Sequence, residues 1–143
     1  MLHLIHPALV HFSVALIVLG GGSEVWGILT GKEPVTRWGS RLVLIGLASL
    51  VPTIATGYVA ANSVSVPDGA RDLLDSHERN GWFLLGLLLA GQFWKAWCGG
   101  RLSGLQQKLY AVLMTAVVLL AAYGAWLGGQ MVYTHAVGVG ITP

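Results

Sequence analysis

The chain has 143 residues, of which 55% are hydrophobic and 10% are charged, and its formal net charge is +2. A soluble domain carries about a quarter charged residues, so this composition indicates an integral membrane protein. The small net charge gives no support for nucleic-acid binding, and the single cysteine, Cys98, excludes an internal disulfide framework and a cysteine-based zinc site.

Four stretches of the chain are long and apolar enough to cross a bilayer as helices, which takes about 20 residues each. They run from about Pro7 to Leu29, Arg41 to Asn62, Gly81 to Trp97 and Leu109 to Val132. Helix is the default in lipid because lipid offers no partner to an unpaired backbone group. The sequence therefore predicts an all-α integral membrane protein, a four-helix up-and-down bundle that forms one domain over residues 1–143, with no clear internal repeat.

Local signals refine the predicted helices. Pro7 suits the first turn of the first helix, and Pro52 predicts a kink in the second. In the loop of residues 63–76, Asp68 is expected to cap a helix that runs on into the third segment, with an apolar side that includes His77. The first apolar run has no Lys or Arg before it, which argues against a cleaved export signal.

The basic residues predict the orientation in the membrane. Six of the eight Lys and Arg residues lie around the first and third loops, whereas Arg71 and Arg79 lie beside the second. The positive-inside rule places the six in the cytoplasm. Both termini and the loop of residues 63–76 are then expected on the outer, periplasmic side of a multi-pass protein in a bacterial inner membrane.

All five histidines fall on the outer side in this topology. His3, expected to be terminal and unordered, is set aside, which leaves His6, His11, His77 and His135 as candidate ligands. Imidazole ligates haem iron, copper and zinc, and helical bundles build such sites between facing helices. The four histidines therefore predict a cofactor or metal site at the outer mouth of the bundle.

Small residues lie in helical register with two of these histidines. Ala15 and Gly22 share a face with His11, and Gly128 lies two turns below His135. Such a stripe would leave a flat groove for a macrocycle, although small residues in membrane helices also serve simply to let backbones approach. A histidine at the bilayer surface can likewise be an amphipathic group with no ligand.

Four motifs in the chain form a recognisable set. They are His6-Pro7-Ala8-Leu9-Val10-His11-Phe12, Thr56-Gly57-Tyr58-Val59-Ala60-Ala61, the isolated His77, and the segment from Gly128 to Val139 that contains Val132-Tyr133-Thr134-His135. With these motifs the chain resembles the predicted bacterial membrane proteins grouped as domain of unknown function 2231. The resemblance departs at two positions, since Ser13 stands where the family typically has Pro and Ala136 where it typically has Gly. Some members of the family occur beside Rieske or cytochrome c domains, which implies a redox setting.

We expect a haem b-binding membrane subunit that carries electrons between a periplasmic redox partner and quinone or another haem. It would belong to a larger redox complex or homo-oligomer and would more readily be a non-catalytic subunit than an enzyme. Haem needs two axial ligands, so four histidines suffice for one haem or two, and His11 with His135 is the favoured pair. Arg79 or Arg71 would pair with the haem propionates.

Two other functions stay open at this point. The same four histidines suit a copper- or zinc-binding or transport protein. Alternatively, the chain is a structural membrane anchor without a cofactor, and its histidines only mark an interface.

Overall fold

Four helices make up almost all of the structure, a computed structural model that describes residues 2–139, with side chains from residue 5 onward. The helices are α1 (Leu2–Thr30), α2 (Glu33–Ala61), α3 (Arg71–Trp97) and α4 (Leu105–His135). A short 3-10 turn, Asp68–Ala70, precedes α3, and no strand occurs in this part of the chain. The predicted all-α four-helix architecture is confirmed. His3, expected to be unordered, lies outside the described side chains.

Three of the four helices are long and apolar enough to cross a membrane, namely Ile5–Thr30 of α1, Glu33–Ala61 of α2 and Leu105–His135 of α4. The remaining helix, α3, has 27 residues but is more polar. Its polar side chains include Asn80, which is buried, and Gln92 and Lys95, which hydrogen-bond to other helices. The expectation of four apolar spans therefore holds for three helices, because α3 turns polar groups towards the bundle interior.

The helices form a ring in which neighbours in sequence are neighbours in space. Helix α1 packs against α2 and α4, and α3 packs against α4. The ring closes least tightly between α2 and α3, which share the fewest contacts of the four neighbouring pairs. Because the helices alternate in direction, the start of α1, the end of α4 and the α2–α3 connection lie at one end, which we call the histidine end.

Glycines let α1 and α2 approach backbone to backbone. A Cβ on Gly20 would lie 2.7 Å from the amide nitrogen of Val43, and one on Gly39 would lie 2.6 Å from the carbonyl oxygen of Gly20. Two turns after Gly39 on α2, a Cβ on Gly46 would lie 2.8 Å from the side chain of Ile17. Small residues at such crossings are typical of membrane helices, where van der Waals packing drives association.

The connection between α2 and α3 folds partly as predicted. Helix α3 does begin outside the apolar segment, at Arg71, with Ala70 buried and Leu73 and Leu74 half-buried. The predicted cap is wrong, because Asp68 makes no capping hydrogen bond and its Oδ1 instead accepts one from Arg71 Nε at 3.0 Å. Asp68 begins the 3-10 turn, two residues before the N-cap position.

The conformation at the end of α4 shows why glycine is typical of position 136, where this chain has alanine. Ala136 ends the helix in the left-handed conformation, with φ of 53°. Its N–H bonds to the Val132 carbonyl at 3.1 Å, and the Val137 N–H bonds to the Met131 carbonyl at 3.0 Å. Glycine is the residue that this position favours, because a Cβ is strained there.

Candidate functional site

His6 is held at the interface of α1 and α2. Its Nδ1 lies 3.0 Å from the backbone carbonyl oxygen of Thr53. Since a carbonyl can only accept, Nδ1 is the protonated nitrogen and Nε2 carries a free lone pair. The ring packs directly on Gly57, where an added Cβ would lie 2.8 Å from His6 Cε1. The glycine of the Thr56–Ala61 motif therefore makes the space that the first histidine occupies.

His77 is held in the same way at the interface of α3 and α4. Its Nδ1 donates to the carbonyl oxygen of Gly124 at 3.0 Å, and its ring lies beside Gly128, where a Cβ would be 3.6 Å from Cε1. The residue precedes the apolar part of α3, and burial lowers the pKa of its imidazole, although the bond to Gly124 opposes the shift. His77 is therefore a neutral imidazole at pH 7, with its lone pair on Nε2.

The two imidazoles lie at the same end of the bundle on different helix pairs. His6 belongs to α1 and bonds to α2, whereas His77 belongs to α3 and bonds to α4. Neither Nε2 has a hydrogen-bond partner within residues 5–139. A histidine that ligates a metal usually donates its other ring N–H to a carbonyl or carboxylate, as both of these do. The arrangement therefore presents two oriented nitrogen ligands.

A third acceptor lies one turn deeper on α3. Asn80 is only 7% exposed, and its Nδ2 donates to the Leu120 carbonyl at 3.0 Å. Gly124 makes room for this amide, since a Cβ there would lie 2.5 Å from Nδ2. Asn80 Oδ1 is a buried atom without a hydrogen-bond partner among the described residues. Buried acceptors are normally satisfied by a protein group or by water, so Asn80 Oδ1 can accept a further hydrogen bond.

His11 does not join this pair. Its side chain is exposed, and its Nδ1 donates to the carbonyl of Pro7 on its own helix at 2.6 Å. Ala15 and Gly22, the small residues in register with it, are exposed as well. The stripe that favoured His11 in the sequence therefore faces away from the bundle.

His135 lies at the histidine end but meets a different surface. It is half-buried, and its ring lies over the 3-10 turn, where a Cβ on Gly69 would be 3.7 Å from His135 Cε1. The groove predicted beneath it at Gly128 is wrong, because the ring of His77 occupies that space. The structure thus seats His6 and His77 alike, each at the interface of one helical hairpin, whereas His11 is exposed and His135 lies over the 3-10 turn.

The arginines proposed for propionates lie on the surface near this end. Arg79 is exposed, with its guanidinium 3.5 Å from Ser76 Oγ, and Arg71 pairs with Asp68. A cleft of about 280 Å³ opens between the end of α2 and the start of α3. Its lining consists of Ala61, Val64, Val66, Arg71, Leu74 and Asp75.

A second polar cluster, the charged network, lies at the opposite end of the bundle and joins all four helices. Glu24 is fully buried and its Oε1 contacts Lys95 Nζ at 2.5 Å and Ser40 Oγ at 2.6 Å. Its Oε2 accepts from the Tyr110 hydroxyl at 2.9 Å, and that hydroxyl accepts from Gln92 at 3.0 Å. Lys95 is one of the six basic residues placed around the first and third loops, and its contact with Glu24 was not predicted from the sequence. Both residues nevertheless lie near the ends of apolar stretches, where an ionisable residue that is buried needs a partner.

No group of three or more His, Cys, Asp or Glu side chains suited to a metal occurs among the described residues. His6 Nε2, His77 Nε2 and Asn80 Oδ1 are atoms with lone pairs and no hydrogen-bond partner among these residues.

Comparison with known proteins places the chain in a family. Residues 2–140 match the model of the family described as a predicted membrane protein, domain of unknown function 2231. The chain belongs to this family. It is therefore a membrane protein in contact with a lipid bilayer, and the resemblance carried by its histidine motifs is confirmed. No curated protein and no solved structure matches it.

Proposed function

We propose that this protein is a haem b-binding membrane subunit that transfers electrons, with His6 and His77 as the axial ligands. The observation that carries the proposal is the matched setting of the two imidazoles, each with Nδ1 donating to a carbonyl of the next helix. Fixing Nδ1 leaves Nε2 free on both rings, which is the nitrogen that binds iron in such sites. Haem needs two protein ligands, whereas a closed structural metal site needs about four.

The chain orients both imidazoles and holds them half-buried at one end of the bundle. The carbonyls of Thr53 and Gly124 fix both tautomers, so His6 and His77 would hold a haem through Nε2, and the haem would supply one-electron chemistry when bound. Arg79, exposed near this end, is available for propionates at the aqueous edge. With the positive-inside orientation, the histidine end faces the periplasm of a bacterial inner membrane, towards an external redox partner, and quinone or a second haem is the other partner.

The test is the optical spectrum and pyridine haemochrome content of the protein purified from membranes. We expect a low-spin b-type spectrum that His6→Ala and His77→Ala each abolish or convert to high-spin. His11→Ala is the matched control, because that imidazole is exposed and bonds only to its own helix; it should leave the spectrum unchanged. Full low-spin haem in both His6→Ala and His77→Ala would refute this ligand pair.

A zinc or copper ion is the second candidate, and the unpaired oxygen of Asn80 favours it. Two imidazole nitrogens and an amide oxygen, with water, would complete a site of borderline softness. Elemental analysis of the same purified samples separates the two functions. A colourless protein with one equivalent of metal that Asn80→Leu removes supports this candidate. A protein with neither haem nor metal is the structural anchor.

A further inference from the structure

The setting of His6 recurs 71 positions later in the setting of His77. Three pairs of residues share this spacing: His6 and His77, the carbonyl acceptors Thr53 and Gly124, and the glycines Gly57 and Gly128. Each pair has the same role, since each histidine donates to its carbonyl and packs on the glycine one turn further along. The hairpin of α1 and α2 therefore corresponds to the hairpin of α3 and α4 without a gap.

The packing of the bundle follows the same register. The five buried residues of α2 are Gly39, Val43, Gly46, Leu50 and Thr53, and their counterparts in α4 are Tyr110, Met114, Val117, Ala121 and Gly124. All five counterparts are also buried. In α1 and α3, buried Ser13, Ile17 and Gly20 correspond to buried Leu84, Leu88 and Gly91. Identity between the halves also extends to outward-facing aromatic residues, at Phe12 with Phe83 and Trp26 with Trp97.

The same spacing of 71 positions relates Glu24 and Lys95, the two charged residues in contact in the charged network. Glu24 and Lys95 are 71 positions apart, so they occupy corresponding positions in the two hairpins. They touch one another, at 2.5 Å between Oε1 and Nζ. Since corresponding positions face each other in the bundle, two copies of one hairpin would bring Glu24 against Glu24, or Lys95 against Lys95.

We infer that the chain is a tandem pair of one helical hairpin, and that the Glu24–Lys95 contact is the determinant that makes unlike hairpins pair. The partner that this surface fits is the other half of the same chain. Opposite charges favour that pairing, and like charges buried face to face oppose the pairing of two identical halves. The Glu24 side chain is fully buried and that of Lys95 is 17% exposed, so bulk water screens their charges little. This inference holds whether or not a haem is bound.

The residues around Glu24 differ from those at the corresponding positions of the other hairpin, and this difference favours the pairing of unlike hairpins. Tyr110 in α4 and Ser40 in α2 both bond to Glu24, whereas their counterparts by register are Gly39 and Ala111. Ser40 belongs to the first hairpin, whereas the Tyr110 hydroxyl comes from the second. A second copy of the first hairpin would place Gly39 where Tyr110 stands, so Glu24 would lose this hydroxyl as well as Lys95. A buried ion pair is a weak source of stability but a documented means of specifying partners.

The first experiment reverses the charges in the full-length chain. Glu24→Lys and Lys95→Glu should each lower the yield of monodisperse folded protein in detergent by about tenfold or more, because two like charges are then buried together. The double variant E24K/K95E should recover most of that yield. Glu33→Lys is the control, because Glu33 is exposed and pairs only with Arg37 on the surface; its yield should stay unchanged. A double variant as poor as the single variants would overturn the inference.

The second experiment separates partner choice from simple stabilisation. Differently tagged E24K and K95E chains are expressed in one cell, where exchanging hairpins between two chains restores both opposite-charge contacts. We expect the two chains to copurify as a dimer in which hairpins are exchanged, while two tagged wild-type chains do not. Failure of the two variant chains to copurify would show that the contact stabilises the bundle without directing pairing, which overturns the inference. The haem content of the proteins decides neither outcome.

Discussion

The two ends of the bundle use corresponding positions of α1 and α3 in opposite ways. At the histidine end, His6 and His77 are the same residue in the same setting. Eighteen residues further along each helix, Glu24 and Lys95 are different residues that complement one another. Identical ligands suit a group shared between two halves, whereas complementary charges suit a contact that the halves make directly. The charged end is therefore complete within the bundle, whereas Nε2 of each imidazole at the histidine end has no hydrogen-bond partner among the described residues.

Removing one charge should break the complete end most severely. Lys95→Met leaves Glu24 buried without its cation, which should lower the free energy of unfolding by about 3–5 kcal/mol. Adding Glu24→Gln to Lys95→Met should recover part of the loss, because no unpaired charge remains. Chemical unfolding in detergent measures both effects. Lys108→Met, at an exposed position of α4, is the control, and a loss for Lys95→Met no larger than for Lys108→Met contradicts the prediction.

The histidine end should respond unequally to one substitution at its two corresponding glycines. Gly57→Ala places a Cβ 2.8 Å from His6 Cε1, and the resulting overpacking should cost about 1–3 kcal/mol. Gly128→Ala places a Cβ at an ordinary 3.6 Å from His77 Cε1, so we expect no loss there. Thermal unfolding of the two variants in the same detergent gives the difference. Equal losses would mean that the two rings are not seated as the structure shows.

The smallest expected effect concerns the end of α4. Ala136→Gly relieves a left-handed alanine and should stabilise the protein by about 1 kcal/mol. Ala125→Gly, the same change at an exposed site within α4, should instead destabilise it by about 1 kcal/mol. Opposite shifts of the unfolding midpoint are expected. A destabilised Ala136→Gly variant would contradict the assigned conformation.

The sequence was sufficient for the helices and for the end at which the histidines lie. Apolar length and loop polarity decided the four helices, and His6, His77 and His135 share one end because the helices alternate in direction. It was not sufficient to tell which histidine faces inward. The helices are apolar on all sides, as membrane helices are, so the stripe of His11 could not be recognised as an outer surface.

The charged network and the repeat were not predicted from the sequence for a related reason. Glu24 and Lys95 stand near the ends of apolar stretches, where a loop charge and a buried partner have the same appearance in sequence. The repeat is visible mainly in the structural roles of corresponding residues. Thr53 and Gly124, for example, correspond through a backbone carbonyl, which any residue supplies. Only the hydrogen bonds and the burial pattern made that correspondence visible.

The seam between α2 and α3 decides how the two hairpins can move apart. By register it corresponds to the α1–α4 interface, yet it is the least contacted side of the ring. Near the histidine end, a Cβ on Gly81 would find its nearest neighbour, the side chain of Ile54, only at 4.0 Å. A transient separation of the two hairpins along this line disrupts less packing than any other opening. We therefore expect the bundle to open first on this side.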